Sequence, residues 1–148
     1  MKFSLSKEVE FDTGHRVPDH QSKCRNPHGH RYRLRATCEG DVVNENGAAD
    51  NGMLVDFSDL KGWMTEFVHD VYDHAFVVYG GDTSMRMALL SDPDWKVVVV
   101  PFTPTAENLA RSIFDTLASI IETHWRGNLR LSKIELWETP TSVAIVED

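Results

Sequence analysis

Two segments near the start of the chain alternate between apolar and polar residues, which is the pattern of a half-buried β-strand. The apolar positions of the first segment are Phe3, Leu5, Val9 and Phe11. If the backbone stays extended, the same face continues through Thr13 to His15 at the end of the strand. The second segment begins at Gly29, and the positions on its apolar side are His30, Tyr32, Leu34, Ala36 and Cys38. We therefore predict two strands that carry histidines on their apolar faces.

Two later segments repeat apolar residues every three or four positions, which is the spacing of an amphipathic helix. The first follows an Asn-, Asp- and Gly-rich loop at 40–52 and can be capped by Asp56 or Ser58. Its apolar stripe is Leu60, Met64, Phe67, Val68 and Val71. The second starts at 103–105, with Pro104 in its first turn and Gly127 as its stop. Its apolar stripe is Leu109, Ile113, Leu117, Ile120 and Ile121.

The end of the chain predicts two more strands, at 129–138 and 143–146, around a turn at 139–141. The looser segment 73–102 contains a short helix around 84–90 and a strand at Val97–Val100. The main elements indicate an α+β fold, a four-stranded antiparallel sheet with two helices inserted between strands 2 and 3. Such a sheet has two open edges, and assembly into an oligomeric barrel is one way to remove them.

The composition of the chain excludes several classes of protein. The chain has 148 residues, of which 41% are hydrophobic, so residues 1–148 are predicted to form one domain. Its formal charge of -8 argues against binding of nucleic acid or of an anionic membrane surface. It shows no membrane-spanning apolar run and no secretory signal, and Cys24 and Cys38 make no disulfide framework. We expect a cytoplasmic protein that has neither nucleic acid nor membrane as a partner.

The densest chemical signal is the segment from Cys24 to His30. His28 and His30 are two residues apart, so a strand places both imidazoles on one face. His15 is the nearest third ligand if the first two strands pair as a hairpin. A lone His-x-His pair is more often solvated or a satisfied core histidine, but His15 and a nearby thiol favour a metal site. Three imidazoles leave a fourth position of Zn²⁺ open, which is typical of catalytic zinc.

Three residues are candidates for proton transfer, Cys24 within this segment and the pair Asp73 and His74 after the first predicted helix. Cys24 lies between Lys23 and Arg25, and positive charges beside a thiol favour its thiolate, so Cys24 is a candidate base or nucleophile. Asp73 and His74 combine a carboxylate and an imidazole, although adjacent side chains rarely bond each other well. A surface loop dipeptide is an equally good interpretation of that pair.

Glu138 breaks the apolar pattern of its strand. It shares a face with Ile134 and Leu136, where an apolar residue is expected, and an inward carboxylate needs a partner. A ligand with two adjacent N–H groups, such as the 2-amino-4-oxo pyrimidine edge of guanine or pterin, would satisfy both carboxylate oxygens. The alternative is an ion pair at the end of the strand.

Five of the fifteen basic residues of this acidic chain are concentrated beside the proposed metal site. They are Lys23, Arg25, Arg31, Arg33 and Arg35. This concentration suits a phosphate-bearing small substrate, and a solvated strand face explains it equally well.

At these positions the chain resembles the 6-pyruvoyltetrahydropterin synthase / 6-carboxytetrahydropterin synthase family, across nearly its whole length. The matching segments are FDTGHR at 11–16, CRNPHGH at 24–30, GMLVDF at 52–57, DH at 73–74, PTAEN at 104–108 and ET at 138–139. The resemblance implies the tunnelling fold, in which subunits join their sheets into a barrel. That assembly is usually a homohexamer made as a dimer of trimers, with active sites between subunits.

The resemblance also implies roles for individual residues. His15, His28 and His30 match the zinc ligands, and Cys24 matches the catalytic thiol. Asp73 and His74 match a proton-relay pair. Glu138 matches the acid that anchors the pterin and is a further candidate for the relay, and the backbone of Thr105 matches a position that helps to hold the pterin ring.

The spacing between Cys24 and His28 separates members of the family. Three residues stand between Cys24 and His28, as in the bacterial queuosine-pathway 6-carboxytetrahydropterin synthases, whereas the animal pyruvoyl enzymes have a longer gap. This resemblance implies a zinc lyase that converts 7,8-dihydroneopterin triphosphate to 6-carboxy-5,6,7,8-tetrahydropterin, acetaldehyde and triphosphate. The alternatives are a 6-pyruvoyltetrahydropterin synthase and a zinc-containing module that binds a pterin or purine without catalysis. Segment 75–103 is longer than expected for the family, which predicts a changed site rim or changed contacts between trimers.

Overall fold

A long antiparallel hairpin positions the other elements of the fold. Its strands are β1 (Phe3–His15) and β2 (His28–Gly40), which pair along their whole length in the computed structural model, in which residues 1–125 and 129–148 are described. The register sets Thr13 opposite His30 and His15 opposite His28. The predicted apolar face of β2 is buried from Tyr32 to Cys38, so the period-2 pattern is confirmed.

Four further strands complete one mixed sheet. They are β3 (Ala75–Tyr79), β4 (Val97–Val100), β5 (Arg130–Thr139) and β6 (Ser142–Glu147), and the strand order is β4-β3-β1-β2-β5-β6. β1, β2, β5 and β6 are the predicted antiparallel strands. β3 runs parallel to β1 and pairs with it at Thr13 and Gly14, and β4 runs parallel to β3.

The predicted count of four strands was therefore wrong, because the described residues form six. Val97–Val100 was expected as a strand, but its place in the sheet depends on β3, which was not expected. The sequence of β3, AFVVY, is a short and almost continuous apolar run. Periodicity cannot assign such a run, since it has neither alternation nor a helical stripe.

The first predicted helix is present, with an irregular second half. α1 (Phe57–Met64) is capped by Asp56, whose side chain accepts a hydrogen bond from the Ser58 amide at 2.7 Å. A wider π-helical turn, Thr65–His69, and one α-helical turn, Asp70–Tyr72, follow. The wider turn rotates the buried face, so Tyr72 is buried whereas Val71, which was predicted in the apolar stripe, is 37% exposed.

Two more helices follow, α2 (Thr83–Leu89) and α3 (Ala106–His124). α2 agrees with the short helix predicted around 84–90. Thr105 is the N-cap of α3, and its side chain accepts from the Asn108 amide at 3.3 Å. Pro104 therefore precedes the cap and does not lie in the first turn, which corrects the predicted start by two residues. Gly127, the predicted stop, lies outside the described residues.

The core lies between one face of the sheet and the helices α1 and α3. Its fully buried members include Leu34, Leu60, Met64, Ile113, Leu117, Ile121, Ile134 and Leu136. The opposite face of the sheet carries charged residues, among which Arg35 pairs with Glu8 at 2.6 Å and with Glu135 at 3.5 Å. In the described ranges, no helix combines the length and the apolar character that crossing a membrane requires.

Candidate metal centre and active site

The end of the β1–β2 hairpin brings three imidazoles together on the helix-covered side of the sheet. The ring centres of His15 and His28 are 4.6 Å apart, those of His15 and His30 5.1 Å, and those of His28 and His30 5.0 Å. One nitrogen from each ring lies within 4.8 Å of the other two. The predicted three-histidine cluster is therefore present with a geometry that could hold one metal ion.

Hydrogen bonds orient two of these rings. His15 Nδ1 lies 2.6 Å from the carbonyl oxygen of Pro104, and His28 Nδ1 lies 2.7 Å from that of Asn26. A carbonyl oxygen only accepts, so each Nδ1 carries the proton and each Nε2 keeps its lone pair. This arrangement, a metal-binding nitrogen opposite a hydrogen-bonded one, is the usual second contact of a histidine ligand.

The third ring supplies an unsatisfied nitrogen. His30 Nε2 is buried and has no hydrogen-bond partner among the described residues. Leaving such an atom unpaired is unfavourable, and a bound cation would satisfy it. Burial is the main cause that lowers the pKa of both His15 and His30, which favours the neutral imidazole that binds metal. The donor set fits Zn²⁺, which accepts neutral imidazole nitrogens.

Cys24 lines the same cavity as His15 and His28. It lies on a single 3₁₀ turn, Lys23–Arg25, and its carbonyl oxygen accepts a hydrogen bond from the Val17 amide at 2.9 Å. The cavity, of about 300 Å³, is lined by His15, His28, Cys24, Thr105 and Glu138, and also by His20 and Glu107. The structure thus brings together five residues that the sequence singled out, and adds His20 and Glu107, for which the sequence carried no signal.

Thr105 lies in this cavity as the cap of α3. Its backbone amide donates to the Thr103 carbonyl oxygen at 2.8 Å, and its own carbonyl oxygen accepts from the Leu109 amide at 3.0 Å. That carbonyl oxygen still has a second lone pair. Of the two backbone groups of Thr105, the carbonyl is therefore the one that can contact a ligand without loss of a bond.

Glu138 adjoins the imidazole cluster. Glu138 lies on the imidazole side of the sheet, as its position in the pattern with Ile134 and Leu136 predicted, at a point where the pairing of β5 with β6 shifts register between Trp137 and Thr139. Its Oε1 lies 3.5 Å from His15 Nε2 and 3.6 Å from His30 Nε2. Its side chain is 28% exposed, so it is accessible to a ligand.

Tyr32 is a site residue that the sequence reasoning did not select. It is fully buried between the imidazoles and the core, and its hydroxyl donates to Glu138 Oε1 at 3.3 Å. Burial, reinforced by the Glu138 carboxylate, raises the pKa of Tyr32, so the phenol keeps its proton and remains a donor. The sequence did carry a signal for Tyr32, which follows His30 on the apolar face of β2. A buried phenol needs a hydrogen-bond partner, so this position indicates a polar group nearby.

Asp73 and His74 form a bonded pair at the end of the helical segment. His74 Nδ1 donates to Asp73 Oδ2 at 2.7 Å, and the Asp12 amide donates to Asp73 Oδ1 at 2.9 Å. These two bonds, the amide first, lower the pKa of Asp73. The expectation that adjacent side chains bond poorly was wrong here, where His74 has a left-handed backbone (φ 58°).

This pair does not meet Cys24 within one chain. The residues that line the Cys24 cavity include neither Asp73 nor His74, as far as the chain is described. His74 is 80% exposed and borders a separate, shallow depression with Gly14 and Arg31. The predicted site residues therefore fall into two groups, one around the imidazoles and one at the Asp73–His74 pair.

Comparison with known proteins assigns the family. The family model described as 6-pyruvoyl tetrahydropterin synthase matches residues 4–148. The chain belongs to the 6-pyruvoyl tetrahydropterin synthase family. The resemblance seen in the sequence motifs is thereby confirmed, and the chain is an enzyme of the tetrahydropterin synthase type.

Relatives of this synthase-family chain carry a more specific name. The 6-carboxy-5,6,7,8-tetrahydropterin synthase of Haemophilus influenzae is 39% identical over 142 residues, which are 95% of each chain. The protein of the same name from Aquifex aeolicus is 30% identical, and the match covers 97% of this chain and 97% of that one.

Solved structures share the fold of this synthase-family chain. An uncharacterized protein from Wolinella succinogenes superposes with a TM-score of 0.81 at 24% identity, covering 100% of this chain and 99% of that one. The 6-pyruvoyl tetrahydropterin synthase of Caenorhabditis elegans superposes with a TM-score of 0.70 at 22% identity, covering 100% and 96%. At these identities the likeness establishes the common fold.

Proposed function

We propose that the chain is a zinc-dependent 6-carboxy-5,6,7,8-tetrahydropterin synthase. This lyase would convert 7,8-dihydroneopterin triphosphate and water to 6-carboxy-5,6,7,8-tetrahydropterin, acetaldehyde and triphosphate, a step toward 7-deazaguanines such as queuosine. The observation that carries the proposal is the cluster of His15, His28 and His30, two of whose members, His15 and His28, line one cavity with Cys24. The 39% identity to the Haemophilus influenzae protein of that name supports the choice of reaction.

The imidazole cluster would hold the metal. His15 and His28 present Nε2 because their Nδ1 atoms donate to backbone carbonyls, and His30 presents a buried nitrogen that lacks another partner in the described chain. When bound, Zn²⁺ supplies a positive centre that holds side-chain oxygens of the substrate and acidifies a hydroxyl. Cys24, in the same cavity, would take the proton from a neighbouring carbon.

The pterin ring would be held at the other end of the cavity. Glu138 accepts hydrogen bonds and has an exposed fraction of 28%, so it can receive two adjacent N–H groups of the ring. It also borders a second opening, lined by His30, Arg33, Trp137 and Thr139, through which a ring could approach. The free lone pair of the Thr105 carbonyl oxygen would accept a further N–H.

Asp73 and His74 would carry protons to or from the reacting atoms. The carboxylate orients the imidazole through the 2.7 Å bond to Nδ1, so the exposed Nε2 is the atom that exchanges protons. Because this pair lies apart from the Cys24 cavity, the proposal requires a neighbouring subunit to supply it.

The sheet edges support such an assembly, a homo-oligomeric barrel arranged as a dimer of trimers. β3 pairs with β1 at Thr13 and Gly14, which leaves the earlier part of that edge of β1 without a partner among the described strands. β6 is the last strand on the other side, and its Ile145 is 53% exposed. Pairing β6 of one subunit with β1 of the next would satisfy both edges. We propose that residues 1–148 act as one domain of this assembly in the cytoplasm, where Cys24 and Cys38 stay reduced.

The test is the set of products formed from 7,8-dihydroneopterin triphosphate by the zinc-loaded protein. We expect triphosphate, acetaldehyde and the 6-carboxy product, and no turnover by the His28→Ala variant. Release of triphosphate with the three-carbon side chain retained would assign a 6-pyruvoyltetrahydropterin synthase instead. Tight binding of the substrate without any release of triphosphate would assign a pterin-binding module.

A further inference from the structure

An ion pair joins the end of β1 to the segment between β3 and β4. Arg16 Nε lies 2.5 Å from Asp82 Oδ2, and Arg16 Nη2 lies 2.6 Å from Asp82 Oδ1. The side chain of Asp82 is 4% exposed. Two parallel hydrogen bonds between a guanidinium and a carboxylate fix the orientation of both groups, and burial strengthens them. The pair therefore restrains the backbone at Arg16.

The restrained backbone is the one that contacts the Cys24 turn. Val17, the next residue after Arg16, donates from its amide to the Cys24 carbonyl oxygen at 2.9 Å. Arg16 Nη1 also reaches the carbonyl oxygen of Arg25 at 3.5 Å. The residues that follow β1 thus contact the turn twice, at Cys24 and at Arg25.

Asp82 also caps α2, and this is the simpler explanation of its burial. It accepts from the Met85 amide at 3.4 Å and from the Ser84 hydroxyl at 3.5 Å. Both bonds are long, whereas the two bonds to Arg16 are short. A cap alone does not require an arginine 66 positions away in the chain.

We propose that Asp82 is a positioning residue for Cys24, acting through Arg16 and the amide of Val17. The proposal rests on the proposed function, because only there does the position of the thiol matter for turnover. It assigns a purpose to the long segment after Asp73 and His74: this segment holds the Cys24 turn against the imidazole cavity from outside.

The test compares Asp82→Asn with the unchanged protein. Asparagine is a good N-cap and has nearly the shape of aspartate, so α2 should persist while the ion pair is lost. The first measurement is the rate at which iodoacetamide alkylates the metal-loaded protein. The label reports Cys24, because Cys38 is fully buried and burial raises the pKa of its thiol to about 12. The second measurement is kcat and KM with 7,8-dihydroneopterin triphosphate.

We expect alkylation of Cys24 to become about fivefold faster, because the turn opens more often without its restraint. We expect kcat to fall about tenfold with little change in KM, because the thiol is misplaced while the ring and metal contacts remain. Arg16→Lys keeps the charge and one contact. Its alkylation rate and kcat should lie between those of Asp82→Asn and those of the unchanged protein. Glu8→Gln removes another carboxylate–arginine pair of β1, at Arg35, and should change neither measurement.

Two results would overturn the proposal. One is an Asp82→Asn protein with unchanged alkylation and kcat, which would leave Asp82 as a helix cap only. The other is a loss of zinc and of thermal stability in both Asp82→Asn and Arg16→Lys that accounts for the faster alkylation. Failure of the proposed function is distinguishable, since a protein inactive on the triphosphate still yields the alkylation rates.

Discussion

His15 Nδ1 donates a hydrogen bond to the carbonyl oxygen of Pro104 across 2.6 Å, which ties the last residue of β1 to the segment that starts α3. The bond fixes the ring's orientation and its tautomer, so that Nε2 faces the other two imidazoles. A helix start and a strand end thus orient one nitrogen of the imidazole cluster that we propose to bind zinc.

Removal of the metal should abolish activity and leave the chain folded. The core residues Leu60, Ile113 and Leu136 are at most 1% exposed and lie in the interior formed by the helices and the sheet. We expect a strong chelator, or His28→Ala, to eliminate bound zinc with little change in far-UV circular dichroism. Cooperative unfolding on chelation would show that the site is structural.

Zinc affinity should decrease as the pH falls. Protonated imidazole cannot bind metal, and the pKa of His15 and of His30 lies below the ordinary value of 6.5, chiefly because of burial. A lowered pKa keeps these two rings neutral at lower pH, so their protonation should weaken zinc binding only below pH 6.5. Competition with a chromophoric chelator measures this, and an affinity that already falls well above pH 6.5 would contradict it.

Cys24→Ala should retain zinc and ligand affinity while losing turnover by at least about 100-fold, the usual loss when a proton-transfer group is removed. Cys38→Ala is the matched control. Cys38 is fully buried in the core, so its removal should lower thermal stability but preserve kcat. Normal turnover by Cys24→Ala would exclude the thiol from catalysis.

Two inactive variants should restore activity when their subunits are mixed. Cys24→Ala damages the imidazole cavity and His74→Ala damages the relay pair, and His74 is 80% exposed, so its loss should not disturb folding. If each site combines the cavity of one subunit with the pair of another, reassembled mixtures contain some intact sites. No recovery, with subunit exchange demonstrated, would place each complete site in one chain.

Gly29→Ala should disrupt the metal centre from the backbone. A methyl group at Gly29 would lie 2.9 Å from the backbone oxygen of Thr13, so the strands must separate beside His28 and His30. We expect a loss of about 1 to 3 kcal/mol in the free energy of unfolding and at least about tenfold weaker zinc binding. Gly62→Ala, in α1 with open space around it, should instead stabilise by about 0.5 to 1 kcal/mol. Unchanged zinc binding in Gly29→Ala would contradict this account.

Local spacing in the sequence was enough to predict the hairpin and its histidine cluster. Alternation at period 2 places His28 and His30 on one face whatever surrounds the strand, and an antiparallel partner sets His15 beside them. The cap at Asp56 is equally local, because its side chain bonds to an amide two residues later. The motifs that carry the family resemblance are likewise short runs of consecutive residues, so they can be recognised without the tertiary structure.

Other parts of the site depend on contacts between distant segments, and only the tertiary structure decided them. Strand β3 exists because an edge of β1 is available beside it, and the apolar run AFVVY has no periodicity of its own to announce that pairing. The bonded pair of Asp73 and His74 includes a left-handed backbone at a non-glycine residue, which residue type does not predict. Arg16 meets Asp82 across 66 positions because β1 and the segment after β3 lie side by side. Spacing along a chain determines which face a residue takes, whereas the choice of partner depends on which segments pack together.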